Sequence, residues 1–167
     1  MLLGVLSDSH DNVGILKKAG AFFREKGVAA LLHAGDWVAP FSALVLREGF
    51  GPEGRLIGVF GNNDGERHYF AQVAERVGLE LLPEAGEVEL GGRRIALYHG
   101  TAAILTEALI GCGKYDLVVT GHTHRAETKR AGKTLWVNPG ELCGALTGAN
   151  TVALVDLDTL QAEIIKL

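Results

Sequence analysis

The N-terminal stretch constrains the fold most, because an apolar run stops abruptly in a cluster of polar side chains. Positions 2 to 6 read Leu-Leu-Gly-Val-Leu, and positions 7 to 12 read Ser-Asp-Ser-His-Asp-Asn. A short apolar run bounded by turn residues predicts a buried strand over residues 2 to 7. Side chains two positions apart leave the same face of a strand, so the Asp8 carboxylate and the His10 imidazole are aimed at one point.

This stretch allows two interpretations. In one, Asp8 and His10 form half of a metal site or an acid/base pair. In the other, Asp11 or Asn12 caps a following helix, since helix starts favour these residues, and the other polar groups serve a turn. The stretch alone does not choose between the two.

Length and composition limit the classes of protein. The chain of 167 residues, with 47% hydrophobic residues, predicts a single domain over residues 1–167 with one substantial core. A net charge of −4 and the lack of a lysine/arginine block predict no strong nucleic-acid-binding patch. The first apolar run is too short for a signal peptide or membrane span, which predicts a cytoplasmic protein with no membrane contact.

The two cysteines, Cys112 and Cys143, lie far apart and lack a metal-site spacing, so we expect them to be buried small hydrophobes. The sequence leaves the oligomeric state open, and an oligomer remains compatible with it.

The order of predicted elements indicates an α/β fold. Three strand–helix units come first, with strands at residues 2–7, 28–34 and 55–60 and helices at 13–26, 40–47 and 66–77. Hairpins then follow at residues 87–98, 126–137 and 151–166, with a helix at 102–110 and a strand at 116–120 between the first two. This order predicts a four-layer α/β/β/α sandwich of two mixed sheets flanked by helices, with a doubly wound sheet as the alternative.

Polar donors recur at the ends of these strands. A histidine in any one of them, taken singly, is more often a satisfied core or surface residue, but agreement among several strand ends favours a metal site. A set rich in imidazole, with only two strong carboxylates, suits a pair of first-row transition ions better than calcium or magnesium. The predicted ligands are Asp8, His10, Asp36, Asn62, His99, His122 and His124.

Five short motifs stand in order along the chain: Asp-x-His at 8–10, Gly-Asp at 35–36, Gly-Asn-x-Asp at 61–64, His-Gly at 99–100 and Gly-His-x-His at 121–124. As a set they resemble those of the calcineurin-like metallophosphoesterase superfamily. The resemblance spans residues 7 to 140, and the short chain is similar to the small prokaryotic phosphodiesterase branch.

The resemblance implies a dinuclear, metal-dependent phosphodiesterase. One ion would be held by Asp8, His10, Asp36 and His124, and the other by Asp36, Asn62, His99 and His122. Manganese is the expected metal, with nickel, iron or zinc as alternatives, because mixed nitrogen and oxygen ligands suit several ions. A metal-bridging hydroxide would attack the phosphorus of a diester.

Two other functions stay open. A trafficking-complex subunit in the superfamily uses this fold to bind partners, so a protein-interaction scaffold is one alternative, against which the intact ligand set counts. A phosphomonoesterase acting on nucleotides or phosphoproteins is the other. The substrate is expected to be a small phosphate ester or a nucleotide.

Asn63 departs from the family pattern. Many relatives have a histidine at this position, thought to protonate the leaving group, whereas an amide donates a hydrogen bond but gives up no proton at neutral pH. We therefore assign catalytic roles to Asp36, Asn62 and Asn63 and predict a preference for good leaving groups such as aryl esters.

Glu141 is a second departure, since relatives commonly carry serine after Asn138-Pro139-Gly140. The added negative charge puts a phosphate contact in doubt if this loop borders the site. Asp64 is expected either to orient a ligand histidine or to cap the helix at residues 66–77.

Other polar and aromatic residues near the motifs have weaker claims on the site. His33 is predicted to be a hydrogen-bonded core residue and Trp37 a packing residue. Arg67 and His68 are predicted to be exposed, and Arg125 either pairs with phosphate or is solvated.

Overall fold

A computed structural model describes residues 1–167, which form four helices and eleven strands. The helices are α1 (Val13–Glu25), α2 (Phe41–Phe50), α3 (Arg67–Val77) and α4 (Ala103–Gly111). The first strands are β1 (Leu2–Leu6), β2 (Ala30–His33), β3 (Arg55–Gly58), β4 (Leu79–Leu81), β5 (Ala85–Leu90) and β6 (Arg93–Tyr98). The others are β7 (Leu117–Val119), β8 (Ala126–Ala131), β9 (Thr134–Pro139), β10 (Thr151–Asp156) and β11 (Gln161–Lys166).

The first sheet has six strands in the order β11-β10-β1-β2-β3-β4. Its strands β1 to β4 are parallel, and β10 and β11 add antiparallel strands at the edge beside β1. The parallel register places Leu6 beside His33 and His33 beside Gly58. Strands β1, β2 and β3 therefore end at one level, and the loops that follow them leave the same edge of the sheet.

The second sheet has five strands in the order β5-β6-β7-β9-β8. Strands β6, β7 and β9 are parallel, whereas β5 and β8 pair antiparallel with β6 and β9. The loop after β7 meets the loop after β1, since the His122 N–H donates to the Asp8 carboxylate over 3.0 Å, and the loop after β6 meets the loop after β2, since the His99 Nδ1 is 2.7 Å from the Ala34 carbonyl oxygen.

Three apolar clusters define the layers. The first fills the space between the two sheets, with Leu3, Val5 and Leu32 of one facing Ile95, Leu97 and Val119 of the other. The second lies between the first sheet and helices α1 to α3, and a small third cluster lies between the second sheet and α4. The predicted four-layer sandwich is thus confirmed, and the doubly wound alternative is wrong.

The element bounds differ little from those predicted, with one omission. The short strand β4 was not predicted, because its Leu-Glu-Leu directly follows α3 and offers only three residues of alternation. Asn12 caps α1 by accepting from the Ile15 N–H over 3.4 Å, so the polar stretch after β1 serves the helix as well. No helix has the length and apolar character needed to cross a membrane.

Helices α1 and α2 approach closely through two glycines. A Cβ added to Gly20 would lie 2.7 Å from the Phe50 nitrogen, and one added to Gly49 would lie 2.6 Å from the Lys17 carbonyl oxygen. The backbones touch at this crossing, so any side chain there would separate the helices.

Candidate metal centre

The loops that follow the parallel strands carry an unusual backbone. Five of the predicted ligands have positive φ angles, namely Asp8 (53°), His10 (42°), Asp36 (59°), His122 (67°) and His124 (60°). Such angles are uncommon for residues with side chains and cost about 1–3 kcal/mol each unless the surroundings enforce them. Their concentration at one edge of the two sheets marks this edge as a functional site.

A first group of ligand atoms gathers at the end of β1. Single ligand atoms of Asp8, His10, Asp36 and His124 all lie within 4.8 Å of one another. The His124 Nε2 is 3.3 Å from Asp8 Oδ1, and the His10 Nε2 is 3.5 Å from Asp36 Oδ2. These four side chains could hold one metal ion.

Two atoms of this group are buried without a hydrogen-bond partner, Asp8 Oδ1 and His10 Nε2. Buried polar atoms nearly always have a hydrogen-bond partner, so two unpaired atoms that could both act as metal ligands fit a cation between them. Burial raises the pKa of Asp8 above its ordinary value, which means that its carboxylate would gain from a neighbouring positive charge.

A second group lies on the other side of Asp36. The His99 Nε2 is 3.4 Å from Asp36 Oδ1 and 3.1 Å from Asn62 Oδ1. The His122 ring lies edge-on to the His99 ring, with 5.1 Å between the centroids. Asp36 therefore turns one carboxylate oxygen toward each group, which is the arrangement expected of a shared ligand.

Outer hydrogen bonds fix two of the imidazoles. The His99 Nδ1 is 2.7 Å from the Ala34 carbonyl oxygen, which can only accept, so Nδ1 carries a proton and Nε2 is the ring atom that faces the site. The His124 Nδ1 is 2.7 Å from Glu141 Oε2, which orients that ring in the same way. Such partners fix the ring tautomer and raise the basicity of the metal-facing nitrogen.

Glu141 therefore has a role other than the one considered from the sequence. Its side chain has no exposed surface and accepts from the Leu146 N–H at 2.9 Å and the Thr147 hydroxyl at 2.7 Å. Burial alone would raise the pKa of Glu141, but the hydrogen bonds from Thr147 and His124 outweigh it and hold this pKa well below its ordinary value. The partners of the carboxylate are protein groups, and it lies on the Nδ1 side of His124, whereas the His124 Nε2 faces Asp8.

The helix-cap role considered for Asp64 is wrong, and so is the histidine-orienting role. Helix α3 has Glu66 at its N-cap and no side-chain cap bond. Instead, the buried Asp64 carboxylate accepts from the N–H groups of Asp36 (3.1 Å), Val38 (2.7 Å) and Gly61 (2.6 Å). It ties the loop after β2 to the loop after β3, which is how the second loop reaches Asp36.

Asn63 also contacts Asp36. Its side-chain amide donates to Asp36 Oδ2 over 2.7 Å, and its backbone N–H donates to Oδ1 over 2.9 Å. Burial opposes ionisation of Asp36, but hydrogen bonds from His99 and Asn63 outweigh it and hold its pKa well below the ordinary value. The Asp36 carboxylate is thus ionised near neutral pH, with Oδ2 near His10 and Oδ1 near His99.

His33 and Trp37 serve packing, as predicted. The His33 ring stacks on the Trp37 ring at 3.4 Å between centroids, and its Nε2 is 3.0 Å from the Ser9 hydroxyl. The Trp37 indole N–H donates to the Val59 carbonyl over 3.0 Å. Burial lowers the pKa of His33 well below its ordinary value, which keeps this ring neutral.

The arginines near the motifs make no contact with the predicted ligands. Arg67 forms an ion pair with Glu84, and its guanidinium lies 4.9 Å from the centre of the Phe60 ring. His68 and Arg125 are exposed. The expectation for the cysteines is wrong for both: Cys112 is exposed, and the half-buried Cys143 donates to Glu141 Oε2 over 3.2 Å.

The calcineurin-like phosphoesterase superfamily domain model matches residues 1–160. The chain belongs to that superfamily. It is 33% identical to a Methanocaldococcus jannaschii phosphodiesterase over 168 residues, covering 100% of this chain and 99% of the relative.

Two solved structures of phosphoesterases share the fold. A novel archaeal phosphodiesterase superposes with a TM-score of 0.93 at 30% identity, and all of both chains is covered. The phosphoesterase YfcE of E. coli superposes with a TM-score of 0.70 at 19% identity, over 99% of this chain and 98% of that one.

Proposed function

We propose that this protein is a metal-dependent phosphodiesterase with two divalent ions that share Asp36. One arrangement carries the proposal. Two buried atoms, Asp8 Oδ1 and His10 Nε2, have no hydrogen-bond partner, and they lie beside the ionised Asp36 carboxylate. That carboxylate turns one oxygen toward each ligand group. The similarity to a phosphodiesterase over the whole chain supports the same reaction class.

The donor set fits such a pair. Asp8, His10, Asp36 and His124 would hold one ion, while Asn62, His99 and His122 would complete the shell of the other. When bound, divalent ions supply a hydroxide near neutral pH and offset negative charge on the phosphoryl oxygens. Mixed nitrogen and oxygen ligands suit manganese, with nickel, iron and zinc as alternatives.

The chain's own residues set the rest of the reaction. Glu141 and the Ala34 carbonyl hold the rings of His124 and His99 with their Nε2 atoms facing the site. The Asn63 amide is held by Asp36 and has no proton to give up, so the leaving alcohol departs without a proton from this residue. The site therefore favours diesters whose leaving groups are stable as anions.

The expected substrate is a small phosphate ester or nucleotide. The complete ligand set favours an enzyme over an interaction scaffold, which needs none of these side chains. A cytoplasmic location and the lack of a strong nucleic-acid-binding patch stay predictions from the sequence, which is also compatible with an oligomer.

Hydrolysis of bis(4-nitrophenyl) phosphate tests the proposal. The protein, stripped of metal and then supplied with Mn²⁺, should release 4-nitrophenol, and chelation should abolish the release. The double variant His10→Ala with His124→Ala should be inactive, whereas Arg125→Ala, which changes only an exposed neighbour of His124, should stay active. A rate no higher than that of buffer with Mn²⁺ alone would exclude the enzyme.

A further inference from the structure

A half-buried thiol lies beside the first ligand group. Single ligand atoms of His10, His124 and Cys143 all lie within 4.8 Å of one another, and both histidines also belong to the group formed with Asp8 and Asp36. Nitrogen and sulfur atoms bound to one zinc ion lie at most about 4.4 Å apart, the sum of bond lengths of about 2.1 and 2.3 Å. The Cys143 sulfur is therefore within reach of an ion that the two histidines hold.

The backbone of Cys143 is tied to the loop after β1. Its N–H donates to the Asp8 carbonyl oxygen over 3.0 Å, and its carbonyl oxygen accepts from the side-chain amide of Asn12 over 3.2 Å. Both bonds lead to the loop that carries His10. The thiol therefore approaches the histidines from a backbone position that is fixed on two sides.

Unpaired atoms mark the place where the two sets of ligands overlap. The fully buried Asp8 side chain has no partner for Oδ1, which lies 3.3 Å from His124 Nε2 and 3.9 Å from His10 Nε2. The His10 Nε2 is buried and unpaired as well. Buried polar atoms nearly always have a partner, so these atoms point to a cation between the histidines that Cys143 also approaches.

The thiol can leave its present partner at little cost. It donates to Glu141 Oε2 over 3.2 Å, and an S–H group is a weak donor. Glu141 keeps three better contacts without it, namely His124 Nδ1 at 2.7 Å, the Leu146 N–H at 2.9 Å and the Thr147 hydroxyl at 2.7 Å. The carboxylate therefore stays satisfied when the sulfur turns toward an ion.

A sulfur ligand changes which ions the first ligand group prefers. Burial raises the pKa of the Cys143 thiol to about 11, so the group stays protonated near neutral pH until an ion binds it. As the metal–sulfur bond forms, the S–H bond breaks and its proton passes to the solvent. Thiolate favours zinc, whereas manganese prefers oxygen ligands and gains little from this exchange.

We propose that Cys143 binds a zinc ion together with His10 and His124 and gives the first ligand group a preference for zinc over manganese. The proposal rests on the proposed function, because it needs an ion at this group. Manganese is then held by nitrogen and oxygen ligands alone, whereas zinc also binds the sulfur.

Cobalt is the probe for the metal–sulfur bond, because Co²⁺ can replace the spectroscopically silent Zn²⁺. Metal-free, fully reduced protein titrated with Co²⁺ should develop the near-ultraviolet charge-transfer band of a cobalt–thiolate bond. Cys143→Ser should lose this band. Cys112→Ser, which removes the exposed cysteine that directly follows α4, should keep it.

The preference itself is measured as the ratio of the Zn²⁺ affinity to the Mn²⁺ affinity. Cys143→Ser should lower this ratio by about tenfold or more, since loss of even an outer partner of a ligand costs about 10- to 100-fold in affinity. Cys112→Ser should keep the wild-type ratio. Competition with a chelator of known affinity gives both constants.

The outcomes separate the two proposals. Wild-type protein that binds Co²⁺ without the band, a band that survives Cys143→Ser, or an unchanged ratio in that variant would overturn Cys143 as a ligand and leave the metal centre standing. Failure of the wild type to bind Co²⁺, Zn²⁺ and Mn²⁺ would overturn both proposals.

Discussion

The buried Glu141 carboxylate contacts the Nδ1 of His124, a predicted metal ligand, so we expect its negative charge to strengthen metal binding by that ring. Glu141→Gln keeps an acceptor 2.7 Å from His124 Nδ1 but removes the charge. Because outer partners of this kind are worth about 10- to 100-fold in metal affinity, we expect Mn²⁺ to bind that much more weakly. Calorimetry measures the change.

A matched variant isolates the histidine contact from the loop contacts of Glu141. Thr147→Val removes the hydroxyl that donates to Glu141 Oε1 and leaves the bond to His124 intact. Its Mn²⁺ affinity should stay near the wild-type value. Equal weakening by both variants would mean that Glu141 acts by holding its loop.

We expect Asn63 to set the choice of leaving group. Bis(4-nitrophenyl) phosphate should be hydrolysed far faster than dialkyl phosphates, because Asn63 gives no proton to a poor leaving group. Asn63→His should raise the rate on dialkyl esters about tenfold or more and change the aryl rate little. Equal wild-type rates on both classes would refute this role.

His33 makes the metal-free protein sensitive to acid. Its folded pKa lies well below that of the unfolded chain, so below about pH 6.5 the unfolded state binds the extra proton and stability falls as pH falls. Urea unfolding at several pH values should give the wild type a slope steeper by up to about 1.4 kcal/mol per pH unit than that of His33→Asn. Parallel slopes would contradict the assignment.

The convergence of the predicted ligands could be inferred from the sequence because all of them lie in loops that follow parallel strands. Asp8 and Asp36 meet because β1 and β2 pair in parallel, and His99 joins them because the two sheets pack face to face. Glu141 could not be predicted, because its bond to His124 depends on how the loop after β9 folds back, and no local pattern records that. The role of Asp64 could not be predicted for the same reason, since the three N–H groups that donate to its carboxylate belong to two different loops.

At the level of the elements, helix and strand periodicity predicted nearly every segment. Strand β4 escaped because three residues carry too little pattern, and its place in the sheet depends on pairing with β3. The loose packing of α4 was also hidden, because its apolar sequence looks like that of a covered helix while Ile104 is 75% exposed.

The contact between α1 and α2 depends on glycine. Gly20→Ala should destabilise the protein by about 1–3 kcal/mol, since its Cβ would lie 2.7 Å from backbone, although alanine favours a helix by up to about 1 kcal/mol. Gly14→Ala in the same helix meets only the Asn12 side chain, at 3.9 Å, and should be neutral or mildly stabilising. Denaturant unfolding compares them; equal effects would refute the close crossing.

For the whole molecule, the layer order followed from the sequence because strand faces alternate between the two apolar clusters. Leu3 and Val5 face the opposite sheet, whereas Leu6 faces the helices. The sandwich brings loops from both sheets to one edge, which lets residues more than a hundred positions apart, such as Asp8 and His122, share a site. We expect bound cations to offset the free-energy cost of the positive φ angles and of the unpaired buried atoms at that edge.

The shared carboxylate is the central claim, and counting bound ions tests it most directly. Metal-free protein titrated with Mn²⁺, followed by equilibrium dialysis and electron paramagnetic resonance, should bind two ions per chain with a spin-coupled signal. Asp36→Asn should lose the coupling and retain at most one tightly bound ion. One ion per chain in the wild type, or a coupled pair in Asp36→Asn, would contradict the account.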